Sequence, residues 1–310
     1  MIISACADNK FSPPEWNIIK DVNSLIPIVL VTRLSDFVFN EELLSLDKYV
    51  LCSMCEFGWD YEWLYTPVFG NDSILKCGLF DGGEWAKFND FVRNNPPVLT
   101  FQREVRTVDL TDNIKPLSYP CYHPATETQT REEFNQRPIE LMHYWGRSSE
   151  ERMWFQGNLY LYASQSNIDV ADNMYYLQGF LNESSKRLWV SAHIPHFARV
   201  EMQQLLHING MSKLALSMPG CGKHCFRDGE VPVNSVMVLQ DNDIAFPVGM
   251  EWIDGVNCIR YKGVNPIPAI ESALKREDLY DIYLKGIETI DKYRPHNYNK
   301  YIEDLIKQAL

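Results

Sequence analysis

Short apolar runs rich in β-branched residues recur along this chain, and segments of helical length separate them. Ile26 to Thr32 reads IPIVLVT, Tyr49 to Met54 reads YVLCSM, and Val98 to Val105 reads VLTFQREV. Between them, Glu84 to Arg93 (EWAKFNDFVR) has the size of a helix. A strand that is apolar on both faces must be covered on both faces, which a parallel sheet with crossover helices achieves. The expected class is therefore α/β. The length of 310 residues suits two domains of roughly 100–200 residues each. A hydrophobic share of 45% supplies their cores and excludes a disordered chain.

The rhythm breaks between Pro116 and Gln136. This stretch holds three prolines and little apolar periodicity, as a linker would. The predicted division is 1–131 and 132–310. The pattern then restarts with a strand at Ile139 to Trp145 and a turn at Gly146. Ser148 and Glu151 have the S-x-x-E spacing of a capping box, opening a helix through Arg152, Phe155 and Leu159. Strands are expected at Arg187 to Ile194 and Ser212 to Met218, with a helix across Arg199 to His207. Two amphipathic helices close the chain on either side of Pro295.

Charge narrows the partners. With 29 Lys and Arg against 41 Asp and Glu, the formal net charge is -12. Nucleic-acid binding is driven by neutralising phosphates from a basic face, so no nucleic-acid partner is expected. A single phosphate-bearing small molecule needs only a few placed cations. No stretch approaches the roughly 20 apolar residues of a membrane span, and the N-terminus lacks the basic and apolar regions of a signal peptide. The eight cysteines are scattered, as free thiols in a cytoplasmic protein would be.

The chemistry concentrates between Ser212 and Val238. A strand ends at Pro219-Gly220-Cys221-Gly222, and Lys223, Arg227 and Glu230 follow within a few residues. Two glycines one residue apart let the backbone turn and approach a ligand closely. A pyrophosphate needs backbone amides and one or two cations, and a ribose needs a carboxylate to accept from its hydroxyls. Gly220, Gly222, Lys223, Arg227 and Glu230 supply that set. The pattern is neither a Walker loop nor G-x-G-x-x-G, because Cys225 stands at the third glycine position. The segment from Pro232 reads equally as a helix with proline in its first turn or as a strand.

SKLALSMPGCGKHCFRDGE resembles the donor-binding half of exostosin-like glycosyltransferases of the GT-B type. RPIELMHYWGRSSEERMWFQGNLY resembles that domain's opening strand, turn and helix, and DGVNCIRY a later loop and strand. The overall pattern is similar to glycosyltransferases of large algal viruses that build capsid glycans. The resemblance covers Arg137 to about Leu310, and reaches the first half only through CEFGW and LTFQRE. It implies two facing Rossmann-like domains with mainly parallel sheets and a central cleft. The first would bind the acceptor; the second, with C-terminal helices lying partly against the first, would bind a nucleotide-sugar. Gly146, Arg147, Arg152, Gly220, Gly222, Arg227 and Glu230 match the family pattern for donor binding. Lys223 joins them on chemical grounds, and His193, at a strand end, is a further candidate donor contact. The resemblance favours a UDP-sugar, UDP-xylose among them, a glycan acceptor, and no metal or other cofactor. In a virus-encoded protein the location would be the host cytoplasm.

An inverting transfer also needs a general base on the acceptor hydroxyl. Glu56, Asp60, Asp72 and Asp81 occupy loop-like contexts in the first half and are the catalytic candidates. The aromatic series Phe57, Trp59, Tyr61, Trp63 and Tyr65 reads as ordinary packing before it reads as a sugar platform. Asp241-Asn242-Asp243 has the spelling of a metal-holding Asp-x-Asp motif, but it follows the donor segment rather than ending a first nucleotide-binding unit. A non-catalytic nucleotide- or glycan-binding protein on the same fold is the competing expectation.

Overall fold

The computed structural model describes residues 2–4, 28–31, 50–53, 77–80 and 99–103 and, from 105 onward, all residues except 111, 113, 119–120, 122, 125–126, 146–148, 173, 184–185, 194–201, 220–226 and 310. The chain forms two compact units. One comprises Met1–Pro120, Asp243–Gly249 and Tyr293–Leu310, the other Cys121–Asn242 and Met250–Lys292. The sequence-based division had a single crossing at 131/132, whereas the chain passes between units at 120/121, 242/243, 249/250 and 292/293.

Among the described residues the first unit holds six parallel strands arranged in chain order: β1 (Ile2–Ser4), β2 (Ile28–Val31), β3 (Val50–Ser53), β4 (Cys77–Phe80), β5 (Leu99–Arg103) and β6 (Ile114–Leu117). Val50 is level with Cys77, and Cys77 with Leu99. β6 runs into the stretch expected to be a linker. It carries Pro116 and lies at the sheet edge, where a missing backbone donor is tolerated. Later residues complete this unit. Thr107 N donates to the Asp243 carbonyl at 2.7 Å and Ala245 N to the Val105 carbonyl at 2.8 Å. The Ser118 amide donates to the hydroxyl of buried Tyr298 at 2.7 Å.

The second unit is built on β7 (Ile139–Trp145), β8 (Ile168–Ala171), β9 (Arg187–His193), β10 (Ser212–Ser217), β11 (Val236–Gln240) and β12 (Ile259–Tyr261). All pair in parallel, in the order β12-β11-β10-β7-β9-β8. β11 buries Val236, Met237, Val238 and Leu239, so its apolar run is continuous because both faces are covered. The segment left open at Pro232 is a tight 3-10 turn, Val231–Val233, leading into this strand.

Among the described residues the α-helices, in chain order, are α1 (Arg131–Asn135), α2 (Glu150–Gln165), α3 (Met174–Glu183), α4 (Met202–Gly210), α5 (Arg227–Glu230), α6 (Ile267–Leu274), α7 (Leu279–Lys292) and α8 (Pro295–Ala309). Phe155, Leu159 and Ala163 of α2, Ile270 of α6 and Ile282 and Tyr283 of α7 close one core with Leu141, Trp189, Leu214 and Val238 of the sheet. α8 begins at Pro295, the position where proline's missing donor is harmless, and belongs to the first unit.

α1 was not expected. Thr130 and Glu133 form a capping box there, with Thr130 N donating to Glu133 Oε2 at 2.7 Å. The helix buries Phe134 against Tyr283, with ring centroids 4.9 Å apart. Arg137 then places its guanidinium over both rings, at 4.5 and 4.7 Å, and donates to the carbonyls of Ser212 and Asn234 at 2.7 and 2.6 Å. The cap expected at Ser148 is also corrected. Ser149 is the N-cap of α2 and accepts from Arg152 N. Arg152 occupies the third helical position, so no Glu is there to close a box.

Candidate functional site

The strand order of the second unit reverses at β7. From β7 the chain travels through α2 to edge strand β8, returns to β9, and then crosses β7 to reach β10. The segments leaving β7 and β10 therefore depart in opposite directions. In open α/β sheets ligands bind outside the carboxyl ends of the strands at such a switch point. Register places β7 and β10 side by side there, with His143 level with Leu216. His143 and Leu216 share one face, and Met142, Tyr144 and Ala215 lie on the other.

Three side chains tie the two sides of this crevice together. Arg152, in the first turn of α2, is only 4% exposed, and its Nη2 donates to the Met218 carbonyl at 2.7 Å. Ser149 Oγ accepts from Arg152 N and donates to the Pro219 carbonyl at 3.0 Å. Within the donor segment, Arg227 opens α5 and lays its guanidinium over the ring of Tyr144 on β7, 5.5 Å from the centroid. Among the described residues no carboxylate pairs with Arg227 at ion-pair distance. Glu230 lies at the other end of this single helical turn, and its carboxylate is 3.8 Å from His123 Nε2. A small cavity connects the two. Met142, Tyr144, Leu205, Ala215, Arg227, Glu230 and Val231 are among the residues that line it.

His143 lies on the opposite face of β7 from Tyr144. It is 1% exposed and packs edge-on against Phe155, with centroids 4.8 Å apart. Burial first, then the charges of Arg227 and Arg152, push its pKa well below the ordinary value of 6.5. The imidazole is thus neutral, and the positive charge at the crevice belongs to the guanidiniums. Two permanent cations and a carboxylate one turn further on suit a polyanionic ligand that also carries hydroxyls.

Among the predicted donor residues, the structure brings Arg152, Arg227 and Glu230 to this place. His193 is the last residue of β9, level with Trp145 of β7. Gly146, Arg147, Gly220, Gly222 and Lys223 lie outside the described residues, as do the catalytic candidates Glu56, Asp60, Asp72 and Asp81 and the aromatic series from Phe57 to Tyr65. His123, His143, Tyr144 and Ser149 were not singled out by sequence. Only Ser149 carried a usable signal, as the serine directly before the helical pattern.

Asp241 Oδ1 forms an ion pair with Arg260 Nη2 at 3.0 Å, and the Asp241 amide donates to the Tyr261 carbonyl. Among the described residues no group of three or more His, Cys, Asp and Glu is arranged to hold a metal ion, and no helix is long and apolar enough to cross a membrane. The DGVN loop is structural. Asn257 Nδ2 donates to the Glu251 carbonyl and to Thr289 Oγ1 of α7, and its Oδ1 accepts from Ile253 N.

No protein-family model matches the chain, and no curated protein matches it. Solved structures do. Alr3699/HepE of Anabaena, determined in complex with UDP, superposes with a TM-score of 0.51 at 11% identity, covering 91% of this chain and 78% of that one. An alpha-glucosyltransferase in complex with UDP and a 13-mer DNA containing a central A:G mismatch gives a TM-score of 0.39 at 8% identity, over 93% and 92%. TarM gives 0.46 at 11% identity, over 94% of this chain and 57% of that one. The HepE likeness is one of fold. With two α/β units, each on a parallel sheet, the chain has the GT-B fold.

Proposed function

We propose that this chain is a glycosyltransferase that moves a sugar from a UDP-sugar to a glycan acceptor, with inversion and without a metal ion. One observation carries the reading: Arg227, with no carboxylate partner among the described residues, lies over Tyr144 of β7, at the strand where the order reverses and after which Arg152 sits in the first turn of α2, and it is one helical turn from Glu230. The fold supports it, since the HepE structure of the same fold holds UDP.

In the proposed reaction the acceptor hydroxyl loses its proton to a carboxylate and attacks the anomeric carbon, while the bond to the diphosphate breaks. The leaving group gathers negative charge, and preorganised cations lower the barrier by meeting that charge as it develops. Arg227, Arg152, Arg147, Lys223 and the backbone amides near Gly222 would take this role, which a divalent ion fills in Asp-x-Asp enzymes. Asp241 is engaged by Arg260, which favours a structural role for that triplet. Glu230 would accept from the ribose hydroxyls. Glu56, Asp60, Asp72 and Asp81 remain the candidates for the base. The preference for xylose and the exostosin-like and viral affinity rest on the sequence resemblance.

Calorimetry with UDP tests the reading. Arg227→Ala is expected to weaken binding by about 1.5–3 kcal/mol, the range for a hydrogen bond to a charged group. Glu230→Ala is expected to weaken UDP more than inorganic pyrophosphate. Sugar transfer, or slow donor hydrolysis without acceptor, should persist in EDTA. If both variants bind UDP as the parent does, the site is misassigned. Activity lost in EDTA and restored by manganese would overturn the metal-free mechanism. Tight UDP binding with no transfer or hydrolysis of any donor would mark a non-catalytic binding protein.

A further inference from the structure

Arg227 and Glu230 lie on a helix of only four residues, too short to hold its own shape, so something must fix α5 against the sheet. The structure contains such a device. Ser217, the last residue of β10, donates from Oγ to Asp228 Oδ1 at 2.5 Å, across a sequence separation of eleven. Both residues are buried, at 1% and 3% exposure. The bond joins the two ends of the segment that leaves the strand and returns as α5. The next two residues, Met218 and Pro219, are held in turn by the bonds from Arg152 and Ser149 to their carbonyls. Asp228 stands between Arg227, which faces Tyr144, and Glu230, which faces His123.

We infer that Ser217 and Asp228 form a clasp that sets α5 against the end of β10, making Asp228 a positioning residue for nucleotide binding by Arg227 and Glu230. This rests on the reading of those two residues as nucleotide-binding groups. A buried carboxylate adjacent to a diphosphate site is electrostatically unfavourable for the ligand, so simple attraction does not account for Asp228. Its contribution is geometric: a short hydrogen bond between two buried side chains is directional. With the turn held in place beforehand, the nucleotide does not have to order it on binding.

Three variants separate the clasp from general damage: Ser217→Ala, Asp228→Ala and Asp228→Asn. The asparagine retains an acceptor for the Ser217 hydroxyl and removes only the charge. Amide hydrogen exchange across residues 227–233, read by mass spectrometry, reports the clasp directly. UDP affinity by calorimetry reports its consequence. Both alanine variants should exchange faster in this segment and bind UDP roughly tenfold more weakly, while Asp228→Asn stays within about threefold of the parent on the same measure. Unchanged exchange in the folded alanine variants would overturn the clasp. Faster exchange with unchanged affinity would overturn its role in binding, and an asparagine variant as weak as alanine would assign the effect to charge instead. A parent protein with no affinity for UDP, GDP or ADP would sink the donor-site reading, and the positioning role with it. The exchange data would then show whether the contact itself is real.

Discussion

His143 places an imidazole where an added proton would meet two guanidiniums and no water. Its folded pKa lies well below 6.5, because burial and then Arg227 and Arg152 disfavour the charged form. The unfolded chain takes up a proton near pH 6.5 that the folded chain refuses. The unfolded state therefore binds more protons below that value, so stability rises with pH there and is lost as the pH falls. Urea unfolding between pH 7.5 and 5 should show this loss, with His143 contributing up to about 1.4 kcal/mol per pH unit. His143→Gln should remove one proton's worth of that slope whatever it does to absolute stability; an unchanged slope would show that His143 is not held neutral. The proximity of this histidine to the arginines was not legible in HYW. It depends on the register of β7 against β10, which aligns His143 with Leu216. Arg227 and Glu230 stood out in the sequence because their residue types, following Pro219-Gly220, have the chemistry expected of a phosphate and a ribose site.

At the scale of elements, legibility followed burial. β7 matched its expected span, Ile139–Trp145, and β10 came within one residue, because strands covered on both faces read as unbroken apolar runs. β4 reads CGLF, β6 contains Pro116 and β8 alternates as IDVA, and each escaped notice for that reason. α1 hid within polar sequence, although Thr130 and Glu133 spelled out its capping box. The glycines separate in the same way. Gly157, in the middle of α2, leaves open space around an added Cβ, whereas Gly255 has φ +70 with the Arg276 guanidinium 3.4 Å from where a Cβ would stand. Gly157→Ala should therefore stabilise by about 0.8–1 kcal/mol, and Gly255→Ala should destabilise by about 1–2 kcal/mol. Thermal melts of the two variants should shift in opposite directions. A Gly255→Ala variant as stable as the parent would contradict the left-handed turn.

Across the whole molecule, composition and rhythm predicted two α/β units, but one crossing point was assumed where the chain makes four. A linker search looks for a change in composition, and the brief returns at Asp243–Gly249 and Tyr293–Leu310 are too short or too regular to show one. These returns have a mechanical result. Glu127 and Thr128 are exposed, so a protease can cut there. The carboxyl fragment would still hold residues that belong to the first unit, bonded to Val105, Thr107 and Ser118. The nicked halves should therefore co-elute on native gel filtration and part only in denaturant; separation under native conditions would contradict the division. The order of synthesis is affected too. Domains usually fold as they emerge, amino end first. Here the first unit waits for Tyr298, near the end of the chain, to reach Ser118. The unit that starts first finishes last, and residues 121–292 can settle into their own sheet while the earlier one is still incomplete on the ribosome.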